Sequence, residues 1–403
     1  MIQSHFTKIQ KIKNKFSKFN NKEIDHVLQA LNSENKIDFV SKLEKSFSKL
    51  YKVKYSIACN SGTSGLHAAL FSLNLKKNDE VIIPALTVVM DAYAAIHLGC
   101  RPVFADVDKD SFLVTAKTIE KKINKKTKAI ILVSLQGLPV DINPIKKLAK
   151  KYNLKIIEDN AQDFLGKYNK QLSGTIGDVG IWSFENKKHL SGCSEGGIIG
   201  TNNKELAIKI RKFAGIGYRH MSATAGRTSL SISAVQDPNY ERFDTIGLNY
   251  RMAQIVAAVC LGQLQSVKKI VDKRRKSAQY FREAIKECNW LIEQKIPKNT
   301  IHSHYTFSVR YKGDKYLNLS WKNFYKKYVS MGGDGFYSAC INPYLEPSLK
   351  GYYKEFKKGL CPTAESLQKE IMQFKTNYRN LDDAKKKAKI LKKLILQLNN
   401  LEK

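Results

Sequence analysis

Apolar residues recur at helical spacing through the first fifty positions, with Val27, Leu28, Leu31, Phe39, Leu43 and Phe47 forming the apolar side. A stripe of that period predicts amphipathic helices packed against a larger body. From Tyr55 the pattern changes. Short β-like runs are expected at 55–59, 80–84, 101–106, 128–134 and 155–159, separated by helical stretches such as 66–73, 91–98 and 143–151. Strands alternating with helices predict a mainly parallel sheet covered on both faces. Two further strands are expected at 179–184 and 196–200, then one long helix across 247–284. After residue 290 the order becomes a strand at 306–311, helices at 321–331 and 364–375, and a Lys-rich amphipathic helix at 382–398. The expected fold class is α/β: a three-layer large domain over 1–265, with the N-terminal helical segment, and a smaller α+β domain over 266–403.

Composition agrees with a folded chain. Of 403 residues, 43% are hydrophobic, enough for a packed core. The longest apolar stretch, 80–100, is broken by Pro84 and Asp91, so no transmembrane helix is expected. The 69 Lys and Arg against 36 Asp and Glu give a net charge of +33 and a pI near 9.7. Such a balance raises nucleic acid as a partner. The lysines, however, run all along the chain and are dense only at 121–155 and after Asp383. A solvated surface is the expectation, with no nucleic-acid partner. The seven cysteines include no two within three residues of each other, which offers neither a zinc knuckle nor a redox pair, and no metal is expected. The first residues lack the apolar core of a secretory signal, so a cytoplasmic protein is expected.

Three separated elements carry candidate chemistry. The run at 55–59 leads into Gly62, Thr63 and Ser64 and then a helix. Strand, glycine turn and helix form a phosphate-type cradle, since a helix start presents free N–H groups. The run at 155–159 ends in Glu158 and Asp159, followed by Gln162; ligands of open parallel sheets bind at the carboxyl ends of strands. The third element delivers Ser183 and then Lys188 to the glycine-rich turn at 192–197. Alone, each has an ordinary explanation: a helix start, an N-capping Asp, a solvated lysine.

Together they resemble the sugar aminotransferase family called DegT/DnrJ/StrS, pyridoxal-phosphate enzymes of the aspartate aminotransferase fold (fold type I). The resemblance runs from about 36 to 365. It rests on NSGTSGLHAAL (60–70), DEVIIPALTVV (79–89), RPVFADVD (101–108), IIEDNAQ (156–162), GDVGIWSFENKKHLSGCSEGG (177–197), GLNYRMAQIVAAVCLGQL (247–264) and CPTAES (361–366).

The resemblance implies pyridoxal 5′-phosphate, with pyridoxamine 5′-phosphate as its alternate form. Lys188 is then the residue that holds the cofactor as a Schiff base and moves the proton. Desolvation and cationic neighbours would lower its pKa. Asp159 pairs with the ring nitrogen and Gln162 lies near the ring hydroxyl. Gly62, Thr63, Ser64 and Ser183 hold the phosphate. Asn249 reaches the phosphate from a partner subunit, which makes a homodimer the expected assembly. The implied reaction moves an amino group from glutamate or glutamine to a keto-sugar, expected to be nucleotide-linked, in amino-sugar or polysaccharide biosynthesis. Val88 stands where the family commonly stacks an aromatic ring on the cofactor. Asp163-Phe164 replaces a small residue plus His. His304, Tyr305 and Arg310 are candidate substrate residues, set against a plain strand edge with exposed polar side chains.

Two other readings compete. A related branch of the same fold has His in place of the lysine and dehydrates a nucleotide sugar. Here the spacing from Ser183-Phe184 puts Lys188 in that place and leaves His189 as a local hydrogen-bonding residue. The second alternative is a basic, non-catalytic regulatory protein that keeps the fold; Lys188, Asp159, Gln162 and Ser183 together disfavour it.

Overall fold

The computed structural model describes residues 19–32, 37–224 and 231–400. The part of the expected N-terminal helix at 1–18 lies outside the described residues. Within them, the amphipathic pattern forms two helices, Asn21–Leu31 and Phe39–Tyr51. Asn20 and Asp38 cap them by accepting backbone N–H bonds.

The apolar runs assemble into one seven-stranded sheet. In chain order its strands are β1 (Tyr55–Cys59), β2 (Glu80–Pro84), β3 (Arg101–Ala105), β4 (Thr127–Val133), β5 (Lys155–Asp159), β8 (Val179–Ser183) and β9 (Gly197–Thr201). Between β5 and β8 lie the two-residue strands β6 (Lys167–Tyr168) and β7 (Gln171–Leu172). The spatial order is β1-β9-β8-β5-β4-β2-β3. Strands β3, β2, β4, β5 and β8 run parallel, and β9 enters antiparallel between β8 and β1. Strands buried on both faces read as continuous apolar runs, and β2 (EVIIP) and β8 (VGIWS) are buried at every position. The α/β expectation with a mainly parallel sheet is met.

Register decides what meets at the carboxyl edge. Asp159 pairs with Val133 on one side and Ile181 on the other, and Ser183 lies two residues further along β8. Gly197 sits between Ser183 and Cys59. A Cβ on Gly197 would fall 2.5 Å from Ser61 O, so only glycine lets the turn after β1 close over the sheet edge.

The C-terminal part forms a second, antiparallel sheet. Its strands are β10 (Leu291–Glu293), β12 (Thr306–Tyr311), β13 (Tyr337–Ser338) and β14 (Ile371–Lys375), in the order β10-β12-β14-β13. The short β11 (Thr300–Ile301) pairs with β6 and so stitches this part to the first. Helices Trp321–Ser330 and Leu381–Asn400 complete it around a core that includes Phe281, Trp290, Phe307, Tyr328 and Phe374.

Two expected helices differ. The stretch 364–375 is a helix only over Pro362–Glu370. Beyond it Ile371, Met372 and Phe374 are buried and pair with β12 as β14. The stretch 247–284 is two helices, Gln254–Gln265 and Val267–Ile285, joined at Ser266. Residues 247–253 are not helical because Leu248 and Tyr250 give their N–H groups to Phe213 and Ala214 O, at the end of helix Lys204–Ala214.

Candidate active site

The helix Gly62–Ser72 starts at the sheet edge. Ser61 caps it: its Oγ accepts from Ser64 N–H at 3.1 Å, and Ser64 Oγ accepts from Ser61 N–H at 3.1 Å. Gly65 N–H bonds Ser61 O. Of the N–H groups that a helix start leaves open, those of Gly62 and Thr63 are left for a ligand. A Cβ on Gly62 would lie 2.9 Å from Ser183 Cβ, so this glycine seats the helix start directly against the end of β8. Ser64 was expected to hold phosphate, but its N–H and hydroxyl both serve the cap, and its hydroxyl also donates to Asn60 Oδ1 at 2.6 Å. The N–H groups of Gly62 and Thr63 thus stand open beside Ser183, whose hydroxyl oxygen accepts from Glu185 N–H at 3.2 Å.

Asp159 closes β5 and is 2% exposed. Its Oδ1 accepts from Ala161 N–H at 2.8 Å. Burial raises its carboxyl above the usual range, against the Ala161 N–H, the Lys188 charge and Asp91. Gln162 accepts from Gln136 N–H at 2.7 Å through Oε1, which leaves its amide N–H₂ free to donate toward a ring hydroxyl. Gln136 reaches it from a left-handed turn, φ 61°.

Lys188 lies on the loop between β8 and β9. Its N–H bonds Glu185 O, and its carbonyl is gripped by Arg274 Nη2 at 3.0 Å. Nζ stands 5.3 Å from the centroid of the Tyr305 ring. Burial lowers its pKa, and Asp159, Glu185, Cys340 and Glu195 oppose that shift. The expected cationic neighbours are not what depresses it: the charges that act on it are acidic, and desolvation outweighs them.

The other candidates scatter. Tyr305 is brought to Lys188. His304 is not: it is buried, stacks on His302 with centroids 3.8 Å apart, and lines a separate cavity of about 670 Å³ with Arg275, Arg282 and Gln294. Both histidines are buried rather than exposed on a strand edge. Arg310 pairs with Glu370 at 3.1 Å inside the C-terminal part and with Asp110, between β3 and β4, at 3.6 Å, and is not brought to Lys188. Val88 is half-buried in the segment between β2 and helix Met90–Ile96. Asn249 is exposed, and its Oδ1 accepts from Arg251 Nε. His189 is buried with Nε2 3.2 Å from Ser303 O, a local hydrogen-bonding residue as expected.

Three residues that the sequence did not single out belong here. Buried Asp91 faces Asp159. Buried Arg274 binds Lys188 O, Tyr305 O and Thr376 Oγ1. Cys340 lies within charge reach of Lys188. Only Asp91 left a trace, as the lone acid inside an apolar stretch. Arg274 is one of many basic residues on its helix.

The arrangement has what a phosphorylated pyridine aldehyde requires: open N–H groups beside a hydroxyl, a buried acid for the ring nitrogen, an amide donor, and a desolvated amine. The model of the DegT/DnrJ/EryC1/StrS aminotransferase family matches residues 15–388, and the chain belongs to that family. It is 34% identical to the GDP-perosamine synthase of Escherichia coli O157:H7 over 292 residues, 72% of this chain and 74% of that one. The structure of an aminotransferase from Psychrobacter cryohalolentis superposes with a TM-score of 0.84 at 26% identity, over 95% of this chain and 99% of that one. Escherichia coli GDP-4-keto-6-deoxy-D-mannose-3-dehydratase shares the fold, with a TM-score of 0.81 at 22% identity over 93% of this chain and 98% of that one. The protein is a pyridoxal-phosphate-dependent sugar aminotransferase, acting on a keto-sugar and an amino donor. Among the described residues no helix is long and apolar enough to cross a membrane, and no cluster of three metal-binding side chains occurs.

Proposed function

We propose that the protein aminates a GDP-linked keto-sugar with glutamate or glutamine as donor, in the cytoplasm, as a homodimer. The observation that carries the site assignment is the pairing of a desolvated Lys188 with buried Asp159 beside the Gly62–Ser183 cradle. The GDP-linked acceptor follows the name of the Escherichia coli relative. Large and small parts divide near residue 265 in this reading, so that Tyr305 and Cys340 come to Lys188 from the C-terminal side.

Pyridoxal phosphate, when bound, would supply an electron sink for the substrate carbon. The chain's own groups do the rest. Gly62 and Thr63 N–H groups and the Ser183 hydroxyl hold the phosphate. Asp159 keeps a proton on the ring nitrogen. Gln162 donates to the ring hydroxyl. Lys188, whose amine burial makes easier to deprotonate, would hold the cofactor at its carbonyl carbon and would take and return the proton at the substrate carbon. Arg274 fixes the Lys188 loop through its carbonyl. Val88 packs on the ring face without a quadrupole. Exposed Ile232, Phe243 and Ile246 support the dimer, since a second copy would cover them and bring its own Asn249.

Lys188 also favours amination over dehydration, because the neighbouring His189 is turned into a buried bond with Ser303 O. The test is incubation with glutamate and a panel of nucleotide-linked keto-sugars, read by product mass. Gain of an amine on a GDP-linked acceptor is expected; loss of a hydroxyl without an amine would overturn the reading. Lys188→Ala should lose cofactor fixation by borohydride and slow turnover by about 10²–10⁴-fold. Wild-type transamination by Lys188→Ala would refute its role.

A further inference from the structure

The acid that faces Asp159 has no part in the chemistry above. Asp91 lies in the first turn of helix Met90–Ile96 and is fully buried. Its Oδ2 accepts from Thr87 Oγ1 at 2.7 Å. Its Oδ1 is buried and meets no donor among the described residues. The group it does face is the Asp159 carboxyl, within hydrogen-bonding reach. Two ionised carboxyls would leave that contact without a donor and place like charges together in a dry site. One proton converts it into an O–H···O⁻ bond.

The surroundings decide which acid keeps the proton. Asp159 has the Ala161 N–H and the Lys188 charge, both of which stabilise an anion. Asp91 has one hydroxyl. Burial and the Asp159 charge both push the Asp91 carboxyl well above its ordinary range.

We propose that Asp91 is a positioning residue: it holds a proton against Asp159, and that hydrogen bond weakens the grip of Asp159 on the ring nitrogen of the cofactor. The second half rests on the proposed pairing of Asp159 with that nitrogen; the first half does not. Net charge at the pair is then one negative unit, which matches the single positive charge of a protonated ring. An Asp159 carboxylate already receiving the Ala161 N–H and the Asp91 O–H is a poorer base than one left with the first bond alone. Thr87 orients the Asp91 carboxyl from the preceding turn.

The test compares Asp91→Asn, which keeps a donor that cannot ionise, with Asp91→Ala, which removes the donor. Infrared difference spectra of the cofactor-free protein at neutral pH read the proton directly. Wild type minus Asp91→Asn should show the carbonyl stretch of a protonated carboxylic acid, shifted in D₂O; its absence overturns the shared proton. The second reading is the ¹⁵N resonance of pyridoxal phosphate labelled at the ring nitrogen and bound to the protein. Asp91→Ala should move the protonation equilibrium toward the protonated ring by roughly tenfold, the weight of one hydrogen bond to a charged group. Asp91→Asn should stay near wild type. Equal spectra for all three overturn the effect on the cofactor. A resonance that ignores Asp159→Asn would instead refute the Asp159 pairing and leave the infrared result standing. A wild-type spectrum with no exchangeable acid band at all overturns the shared proton whether or not a variant folds.

Discussion

Arg274→Met isolates the joint between the Lys188 loop and the C-terminal part. Arg274 is 4% exposed on helix Val267–Ile285. Its Nη1 donates to Tyr305 O at 2.9 Å and Thr376 Oγ1 at 3.2 Å, and Nη2 donates to Lys188 O at 3.0 Å. Burial lowers its pKa to about 10, so it stays charged near neutrality. Methionine keeps most of the apolar stem and removes every donor. Tyr305 O retains the Thr376 hydroxyl at 2.9 Å, whereas Lys188 O loses its partner. Two good bonds from a charged donor are worth about 1.5–3 kcal/mol each. Releasing a buried guanidinium from its desolvation offsets part of that, leaving a net loss of roughly 2–4 kcal/mol. Urea unfolding of the cofactor-free protein, at one protein concentration, measures the stability. Fluorescence titration with pyridoxal phosphate measures the site. Both should fall, and Arg274→Lys should recover part of each because it can reach one acceptor at a time. Wild-type stability together with wild-type cofactor affinity in Arg274→Met would refute this account of the loop.

Other predictions follow from single contacts. Gly62→Ala places a Cβ 2.9 Å from Ser183 Cβ. Overpacking of about 1–3 kcal/mol at that spot should weaken pyridoxal phosphate binding by roughly 5- to 150-fold; unchanged affinity in Gly62→Ala would contradict the cradle. His304 is held neutral, its pKa lowered from 6.5 to about 3 by burial and the charges of Arg282 and Arg275. The unfolded chain therefore binds the proton first, so stability is full above pH 6.5 and falls as pH drops through the window down to about 3. His304→Gln should lessen the pH slope of the unfolding midpoint across that window, with buried His302 and His189 still contributing, and an identical slope in the variant would count against a neutral buried imidazole.

The repeating strand–helix pattern was legible because strands buried on both faces must be apolar throughout, and the helices over them must be amphipathic. Asp159, Ser183 and Lys188 were legible because each ends or follows a strand at the edge where such sheets bind ligands. Their order along the chain determined the fold class and the chemistry. Other features could not be read that way. Ile371, Met372, Gln373 and Phe374 form β14 because β12 and β13 lie on either side; helical spacing nearby gave no warning of partners more than thirty residues away. His304 and Arg310 sit within a few residues of Tyr305, yet only Tyr305 reaches Lys188. The ring of His304 stacks on His302, and Arg310 is taken by Glu370. Asp91 and Arg274 looked like a break in an apolar run and one more basic residue. Burial gave them their roles, because an acid or a guanidinium without water must find its proton or its acceptors in whatever the fold sets beside it. The sequence by itself determined the α/β fold and the kind of cofactor site. Tertiary structure alone decided which charged side chains lost their solvent, and hence which of them hold the site.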